Sequence, residues 1–543
     1  MTNSAEPAST VQTSTVPASA EQHYDADVAI IGYGPSGVTA ANTLASRGIS
    51  SIAFERDIEI YPRARAVTVN DWTMRIFQDL GLDENILKVV DPQRALRWVT
   101  YDGRELMRVS FTPSTLGTVE GVRFYNVYQP ALEPLLREGG ERYPERIDVR
   151  YGWEVVKTEQ DSNGVTVTAR ELGTGEERSI RARYALACDG GSSPTRRDLG
   201  IELLGDTLKV NWIIIDCRVK RWWADRDFLT FWSDKRRPVV DIPLPLGNHR
   251  WEIPLREGES QDDFTTEEQV WPLLEDLGVT RDDVEIHQHA FYHHHERMAE
   301  RWREGRVFLV GDAGHLMPPW AGAGMQSGMR DAYDISWKIA RVLGGTAPES
   351  ILDTYEAERR PNVEFYTNLA IGLGKVIKQE LSDEELAQVT APPPPGAEVP
   401  DAPLIAPPVL VAGWLRGPIG DDSIVGRMIP QPKVETPDGY MVRLDDVLGR
   451  DYVLIGDGVD PAASLTPEEK AGWDALGAHY LTVRQRDQGT ETADEFVDLY
   501  GAVLGWMREY GARIVALRPD RFVAAADTSG LATPEWPAAA ASR

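Results

Sequence analysis

The chain has 543 residues, enough for more than one hydrophobic core, and carries 85 acidic against 57 basic side chains, a formal net charge of −28. That charge excludes the polyanionic backbone of nucleic acid and anionic membrane surfaces as general partners. No apolar run approaches the roughly 18 residues of a membrane span, and Met1 to Ala20 lack the basic start and apolar centre of a secretion signal. The two cysteines, Cys188 and Cys217, are far apart and each sits in an apolar, strand-like segment, so both read as core residues of a cytoplasmic protein without disulfides.

In chain order, residues 1–24 are rich in Ser, Thr, Ala and Pro and read as a disordered tail. An apolar strand from Asp27 to Ile31 runs into Gly32-Tyr33-Gly34-Pro35-Ser36-Gly37, and an amphipathic helix follows from Ser36 to Arg47, stopping at Gly48. A second strand, Ser51 to Phe54, ends on Glu55. Val155 to Ala187 alternates around turns at Ser162-Asn163-Gly164 and Gly173-Thr174-Gly175, as a β-meander does, and a sheet-rich region follows from Val210 to Leu255. Val307 to Val310 predicts a buried strand and Met325 to Leu343 a long helix. The segment APPPPGAEVPDAPLIAPP makes residues 391–410 a semi-rigid proline linker. Beyond it, strands at 452–456, 512–517 and 521–525 with helices at 467–477 and 493–509 predict a small α/β domain over 411–543. The fold class is therefore α/β. A Rossmann-like unit spans 25–390 with an inserted mixed β-sheet at about 88–187 and 205–300.

The first glycine motif has the context its chemistry needs. Gly32 permits a tight turn, Gly34 lets the backbone approach a pyrophosphate, and Gly37 allows close helix packing, leaving helix N–H groups free to meet phosphate charge. Pro35 and Ser36 start that helix, and Glu55, with Arg56 beside it, is spaced to take an adenosine ribose diol. NAD, FAD and a vestigial empty site all remain open on this motif alone. A second motif decides among them. Gly311-Asp312 follows the strand at 307–310, and Pro319, Gly322, Ala323, Gly324 and Met325 form a loop entering the long helix. The acid can bind a ribityl hydroxyl, and the loop can aim N–H groups at the O2 and N1 edge of a flavin. NAD would not need this second element, so the cofactor read from the pair is FAD.

With these motifs in place, the chain resembles the class A flavin monooxygenases of the p-hydroxybenzoate hydroxylase fold, over roughly residues 25–380. A third motif, Cys188-Asp189-Gly190-Gly191-Ser192-Ser193-Pro194-Thr195-Arg196, matches the Asp-Gly segment of that family. Arg63-Ala64-Arg65-Ala66 matches its arginine segment, and Gln129 its flavin-contacting glutamine. Within the family the chain is most similar to 3-(3-hydroxyphenyl)propionate hydroxylases, on Pro62 to Arg75, Arg306 to Pro319 and Arg518-Pro519-Asp520-Arg521-Phe522-Val523. The resemblance implies a thioredoxin-like C-terminal domain; having no Cys-x-x-Cys, it is expected to support an interaction or a homodimer. Departures from the family pattern are Gln326, where asparagine is commoner, Ala321 and Ala323 in the glycine loop, and Asn70-Asp71-Trp72 near the substrate.

The implied chemistry is hydroxylation of a small phenolic substrate. NAD(P)H, with NADH favoured, reduces FAD, O2 adds to give a flavin C4a-hydroperoxide, and oxygen passes to the ring. A phenol reacts faster as its phenolate, so an acceptor near the ring hydroxyl is expected. Asp71 and Tyr292 are the candidates by resemblance, with Pro319 and Trp320 bordering the ring. His293-His294-His295 is not expected to bind metal, because side chains alternate along a strand and no Cys or acid pair completes a site. His315 is expected to orient the flavin loop, and most of the 16 tryptophans to be core. Two other readings are a halogenase or reductase of the same fold, for which Trp251-Glu252-Ile253-Pro254 supplies half a tryptophan motif, and a non-enzymatic binding protein.

Overall fold

A computed structural model describes residues 23–538 other than 63, 235–236, 379, 381 and 383–407. Arg63, the Pro-rich linker up to residue 407 and the tail up to residue 22 lie outside the described residues. Tyr24, assigned to the tail, is placed: its hydroxyl donates to the Asn163 carbonyl at 2.8 Å.

An eight-stranded sheet forms the first layer. Its parallel centre sets Ala26–Ile31 between Ser51–Glu55 and Glu177–Ala187, with Val307–Leu309 beyond the latter. Where they pair in parallel these strands are largely apolar and buried, because helices cover the sheet. Pro35–Ala45 packs beside the long helix Gly324–Leu343, and Thr354–Ile377 lies against that. The meander Trp153–Gln160, Val165–Glu171 and Glu177–Ala187 forms around the two expected turns.

The sequence reading placed all of 88–187 in the inserted sheet. In the structure the part from Ile147–Tyr151 onward belongs to the first sheet instead. Ile147–Tyr151 pairs parallel with Ser51–Glu55, and Glu177–Ala187 pairs parallel with Ala26–Ile31. Sheet membership is decided by these distant partners, which alternation alone does not reveal.

A second eight-stranded sheet is built from Ala95–Val99, Glu105–Ser110, Leu203–Val219, Leu229–Trp232, Val239–Leu244, Asn248–Pro254, Val284–Ala299 and His315–Leu316. Its outer face carries Ile213, Ile215, Cys217, Trp251 and Ile253 into a core closed by the helix Glu267–Glu275. Its other face turns toward the first sheet.

The C-terminal residues form a seven-stranded mixed sheet in which Val453–Asp457 lies between His479–Gln485, the central strand, and Ile514–Leu517. One expectation is corrected here. The stretch 493–509, read as a single helix, splits into the strand Glu495–Asp498 and the helix Ala502–Glu509. Glu495–Asp498 is buried and pairs parallel with residues 482–485, and Gly501 separates the two elements in a left-handed conformation, φ +69°. This unit docks on the first by buried charge. Arg75 forks onto Asp445 at 2.6 and 2.7 Å and donates to the Ile429 carbonyl at 2.6 Å. Gln431 donates its backbone N–H to the Thr115 carbonyl at 2.6 Å and its side-chain amide to that of Gly117 at 3.2 Å.

Candidate active site

The turn after Ala26–Ile31 needs its glycines. Gly32 has φ +94°, and a Cβ there would lie 2.4 Å from the Cys188 carbonyl oxygen. A Cβ on Gly37 would lie 2.0 Å from the Gly32 carbonyl oxygen. This crowding brings the start of Pro35–Ala45 to the wall of a cavity of about 500 Å³, which Gly34, Pro35 and Ser36 line. The volume falls within the usual range of ligand sites, roughly 300–1,000 Å³.

The second motif reaches the same cavity from the other side. Asp312 projects into it, exposed only in the sense that the cavity wall is surface, and has no hydrogen bond among the described residues. The surrounding protein raises its carboxyl pKa, against the attraction of His315 and Arg65. Beneath the turn, Asp331 accepts from Gly311 N–H at 3.3 Å and from Arg359 at 2.8 Å, and its carboxylate lies 2.6 Å from His315 Nε2. His315 thus serves the turn from below. Pro319, Trp320, Ala321, Gly322, Ala323, Gly324 and Met325 all line the cavity at the N-terminus of Gly324–Leu343. Gln326 braces this loop, donating to the Gly322 carbonyl at 2.7 Å and accepting from Asn70 N–H at 3.1 Å.

Two helix N-termini therefore face one cavity, each a ready site for negative charge. Between them lie Arg65, over the Tyr61 ring at 4.3 Å, and Gln129. Gln129 accepts from Arg65 N–H and Ala66 N–H at 3.1 and 3.0 Å and donates to Glu133 at 2.6 Å, so it shapes the arginine segment. Gly190 lines the cavity and Asp189 stands behind it, one carboxylate oxygen on Thr195 N–H at 3.1 Å and the other buried without a partner. Glu55 accepts from Tyr33 N–H at 2.7 Å and Asp57 N–H at 3.0 Å. Arg56 corrects an expectation: its side chain is 69 % exposed, its nearest charge is Asp57 at 3.9 Å, and it takes no part in the cavity wall.

The rest of the cavity is apolar and belongs to the inner face of the second sheet. Ile214, Val240, Ile242 and Phe231 form that face, with Phe111, Phe124, Leu369 and Leu373 opposing. Trp320 is held over the helix Thr354–Ile377 at Gly374, where a Cβ would lie 2.3 Å from its ring. Tyr292 lines this part, and burial, helped by the Tyr61 phenol, raises its pKa, so it remains a neutral hydroxyl. His293, His294 and His295 all border the cavity. His294 stacks on Trp212 and meets Trp320 edge-on, and its pKa is lowered to about 4 by burial. A register shift between Thr207 and Asn211 on the facing strand breaks the alternation expected of the three.

Asp71 is the second corrected residue. It begins the helix Asp71–Asp79, its carboxylate accepts from Trp72 N–H at 2.8 Å and from the Ser114 hydroxyl, and it does not line the cavity. A carboxylate turned back to its own helix start and to a neighbouring loop has no path to a ring hydroxyl.

Sequence reasoning missed Arg250 and Glu252, which line the cavity from Asn248–Pro254. Arg250 donates to both oxygens of Asp216, at 2.7 and 2.9 Å, and to the Ala64 carbonyl. Their strand, Asn-His-Arg-Trp-Glu-Ile-Pro, mixes polar and apolar residues without alternation, so no periodicity marked them.

The site's donor set fits FAD: paired helix N-termini for the pyrophosphate and the flavin edge, a partnerless Asp312, and an orphaned oxygen on Asp189. Residues 25–370 match the family model described as FAD binding domain. The chain belongs to the FAD-dependent aromatic monooxygenases. Residues 426–539 of the flavoprotein match the HcaD C-terminal domain. It is 35 % identical over 524 residues to a 3-(3-hydroxy-phenyl)propionate/3-hydroxycinnamic acid hydroxylase of Burkholderia cenocepacia, covering 93 % of this chain and 94 % of that one. To the hydroxylase of that name from Escherichia coli it is 31 % identical over 516 residues, covering 93 % and 92 %. Solved structures share its fold at lower identity. The flavin-dependent monooxygenase PieE, in complex with FAD and substrate, superposes with a TM-score of 0.77 at 24 % identity over 92 % of this chain and 95 % of its own. Aklavinone-11 hydroxylase with FAD and aklavinone gives 0.76 at 22 % over 94 % and 97 %. The flavoprotein is an oxidoreductase that uses FAD to hydroxylate an aromatic substrate.

Proposed function

We propose that the enzyme hydroxylates a phenol of the 3-(3-hydroxyphenyl)propionate type, with NADH as reductant and O2 as co-substrate, as a cytoplasmic homodimer. The observation that carries the substrate reading is the continuity of the cavity: an apolar sheet face bearing Tyr292 adjoins the paired helix N-termini without an intervening wall. The names of the relatives at 31–35 % identity supply the phenol. Among the described residues, no helix is long and apolar enough to cross a membrane.

Bound FAD would supply the hydride acceptance and the O2 activation that the hydroxylation needs. The chain's residues do the rest. The N-termini of Pro35–Ala45 and Gly324–Leu343, with Arg65, hold the cofactor's negative charge, and Asp312 takes a ribityl hydroxyl. Gln129 and Gln326 fix the segments on either side. Tyr292, remaining protonated, donates to an oxygen of the substrate. Ile214, Val240, Phe231 and Trp320 pack its ring and exclude water, which suppresses loss of activated oxygen as peroxide.

Trp251-Glu252-Ile253-Pro254 gives the halogenase reading no support, because Trp251 is fully buried on the outer face, against His249 and Trp223. The test is a panel of phenols, including 3-(3-hydroxyphenyl)propionate, scored with NADH and NADPH for stimulated oxidation and product mass. A product heavier by one oxygen supports the reading. Stimulated oxidation without such a product from any phenol overturns it, and light scattering reads the dimer.

A further inference from the structure

Glu252 is an anomaly in the cavity wall. It is 6 % exposed, and it sits in register between Ile214 and Val240 of the neighbouring strands, where the face passes from the Arg250–Asp216 pair to apolar side chains. No hydrogen bond reaches it among the described residues. Its nearest charge is Arg250 Nη1 at 3.8 Å, beyond hydrogen-bond reach; that nitrogen donates to the Arg65 carbonyl at 3.4 Å, while Nε and Nη2 are committed to Asp216 and the Ala64 carbonyl. A buried carboxylate without hydrogen bonds is destabilising unless something satisfies it. Side chains of this kind are retained where a ligand completes them.

The register shows what such a ligand looks like. Tyr292 is level with Trp212 and Pro254, and Glu252 is level with Ile214 and Ala290. Tyr292 and Glu252 thus stand two strands and two residues apart on one face, roughly 12 Å at the usual spacings. An aromatic ring with oxygen at both ends, plus a hydrogen bond at each, spans about that distance. One post is a neutral hydroxyl that donates; the other is an acid that accepts. Burial raises the Glu252 pKa, as suits a base that must be strong enough to take a phenol's proton.

We propose that Glu252 is the catalytic acceptor for the substrate's ring hydroxyl, the part expected of Asp71 on sequence, with Tyr292 donating to a polar group at the opposite end of the ring. The inference rests on the phenol hydroxylase reading. In the step assigned to it, the phenol O–H bond breaks, a Glu252 O–H bond forms, and the electron pair stays on the phenol oxygen, from which the ring is activated for oxygen transfer.

The test uses the FAD-loaded enzyme, Glu252→Gln and Glu252→Asp, with 3-(3-hydroxyphenyl)propionate and its methyl ether, 3-(3-methoxyphenyl)propionate. Flavin absorbance reads binding, and single-turnover product formation reads chemistry. Expected are unchanged FAD content in both variants, tighter binding of the phenol than the ether by the parent, and loss of that preference in the Gln variant. Hydroxylation by Glu252→Gln should fall about a hundredfold, the lower range for general base catalysis, while Glu252→Asp retains more. Parental product yield in the Gln variant, equal losses in Gln and Asp, or a parent that does not distinguish phenol from ether would each overturn the proposal. A parent that separates phenol from ether yet oxygenates no phenol would sink the hydroxylase reading and leave Glu252 as the acceptor site.

Discussion

Arg518 of the C-terminal domain grips Glu358 of the helix Thr354–Ile377, donating from both terminal nitrogens to both carboxylate oxygens at 2.9 and 2.7 Å, with both side chains fully buried. Around this pair lie Lys338, 2.8 Å from Glu358 and 2.7 Å from Asp334, and Asp520, which accepts from Arg518 at 3.0 and 2.5 Å. Three acids and two bases share one dry space between the domains.

Removing one member of such a set strands the others. Arg518→Met should cost about 3–5 kcal/mol, because Glu358 and Asp520 lose their shared cation in a place water does not reach. Thermal unfolding should show a fall of several degrees. An unchanged midpoint would mean that the cluster contributes no net attraction between the domains.

The surplus acid is resolved by a proton. Burial pushes the Asp334 carboxyl up to about 7, while Arg518 and Lys338 hold Glu358 at about 2. A carboxyl raised in the folded state contributes stability below its unfolded value and loses it as pH rises through the folded one, here between about pH 4 and 7. Asp334→Asn removes that dependence, so the variant should gain on the parent between about pH 4 and 7 and keep a constant advantage above that. Parallel stability curves would refute a buried proton on Asp334. Glu358 acts in the other direction, contributing above its ordinary value and losing this as pH falls toward 2.

Asp312→Ala should weaken FAD retention by about ten- to a hundredfold, the worth of one hydrogen bond to a charged group. The flavin-to-protein ratio after gel filtration measures it, and parental flavin content would exclude the carboxylate from cofactor binding.

Tyr292→Phe should leave flavin content alone and lower product formed per NADH several-fold, since one neutral hydrogen bond of about 1 kcal/mol is lost. Peroxide should rise to match. Parental coupling would remove Tyr292 from the substrate's contacts.

The parts of this enzyme that were legible in sequence are those whose cause is local. The strand, glycine turn and helix from Ala26 to Ala45 and the helix Gly324–Leu343 announce themselves through short-range sterics and periodicity. Distant pairing was not legible. Residues 147–187 join the first sheet through partners more than ninety positions away, and Glu495–Asp498 is a strand because residues 482–485 flank it on one side and Val434 and Glu435, some sixty positions upstream, on the other. The site divides the same way. Glycines and Asp312 were readable because a phosphate or a ribityl chain demands them at fixed spacing. Glu252 was not, since all seven residues of Asn248–Pro254 are buried and neither face of the strand stands out in composition. Asp71 misled by matching a segment while its carboxylate is spent on Ser114 and its own helix.

Gln431 holds the carbonyls of Thr115 and Gly117, next to the Ser114 that restrains Asp71, and Arg75 ties the same helix to Asp445. Asn70, at the head of that helix, donates its N–H to Gln326, which braces the flavin loop. Shortening the gene to the catalytic half would therefore not yield a leaner biocatalyst. It would take away the buttress behind the cofactor, and engineering of this enzyme should treat residues 426–539 as masonry of the active site rather than as an appendage.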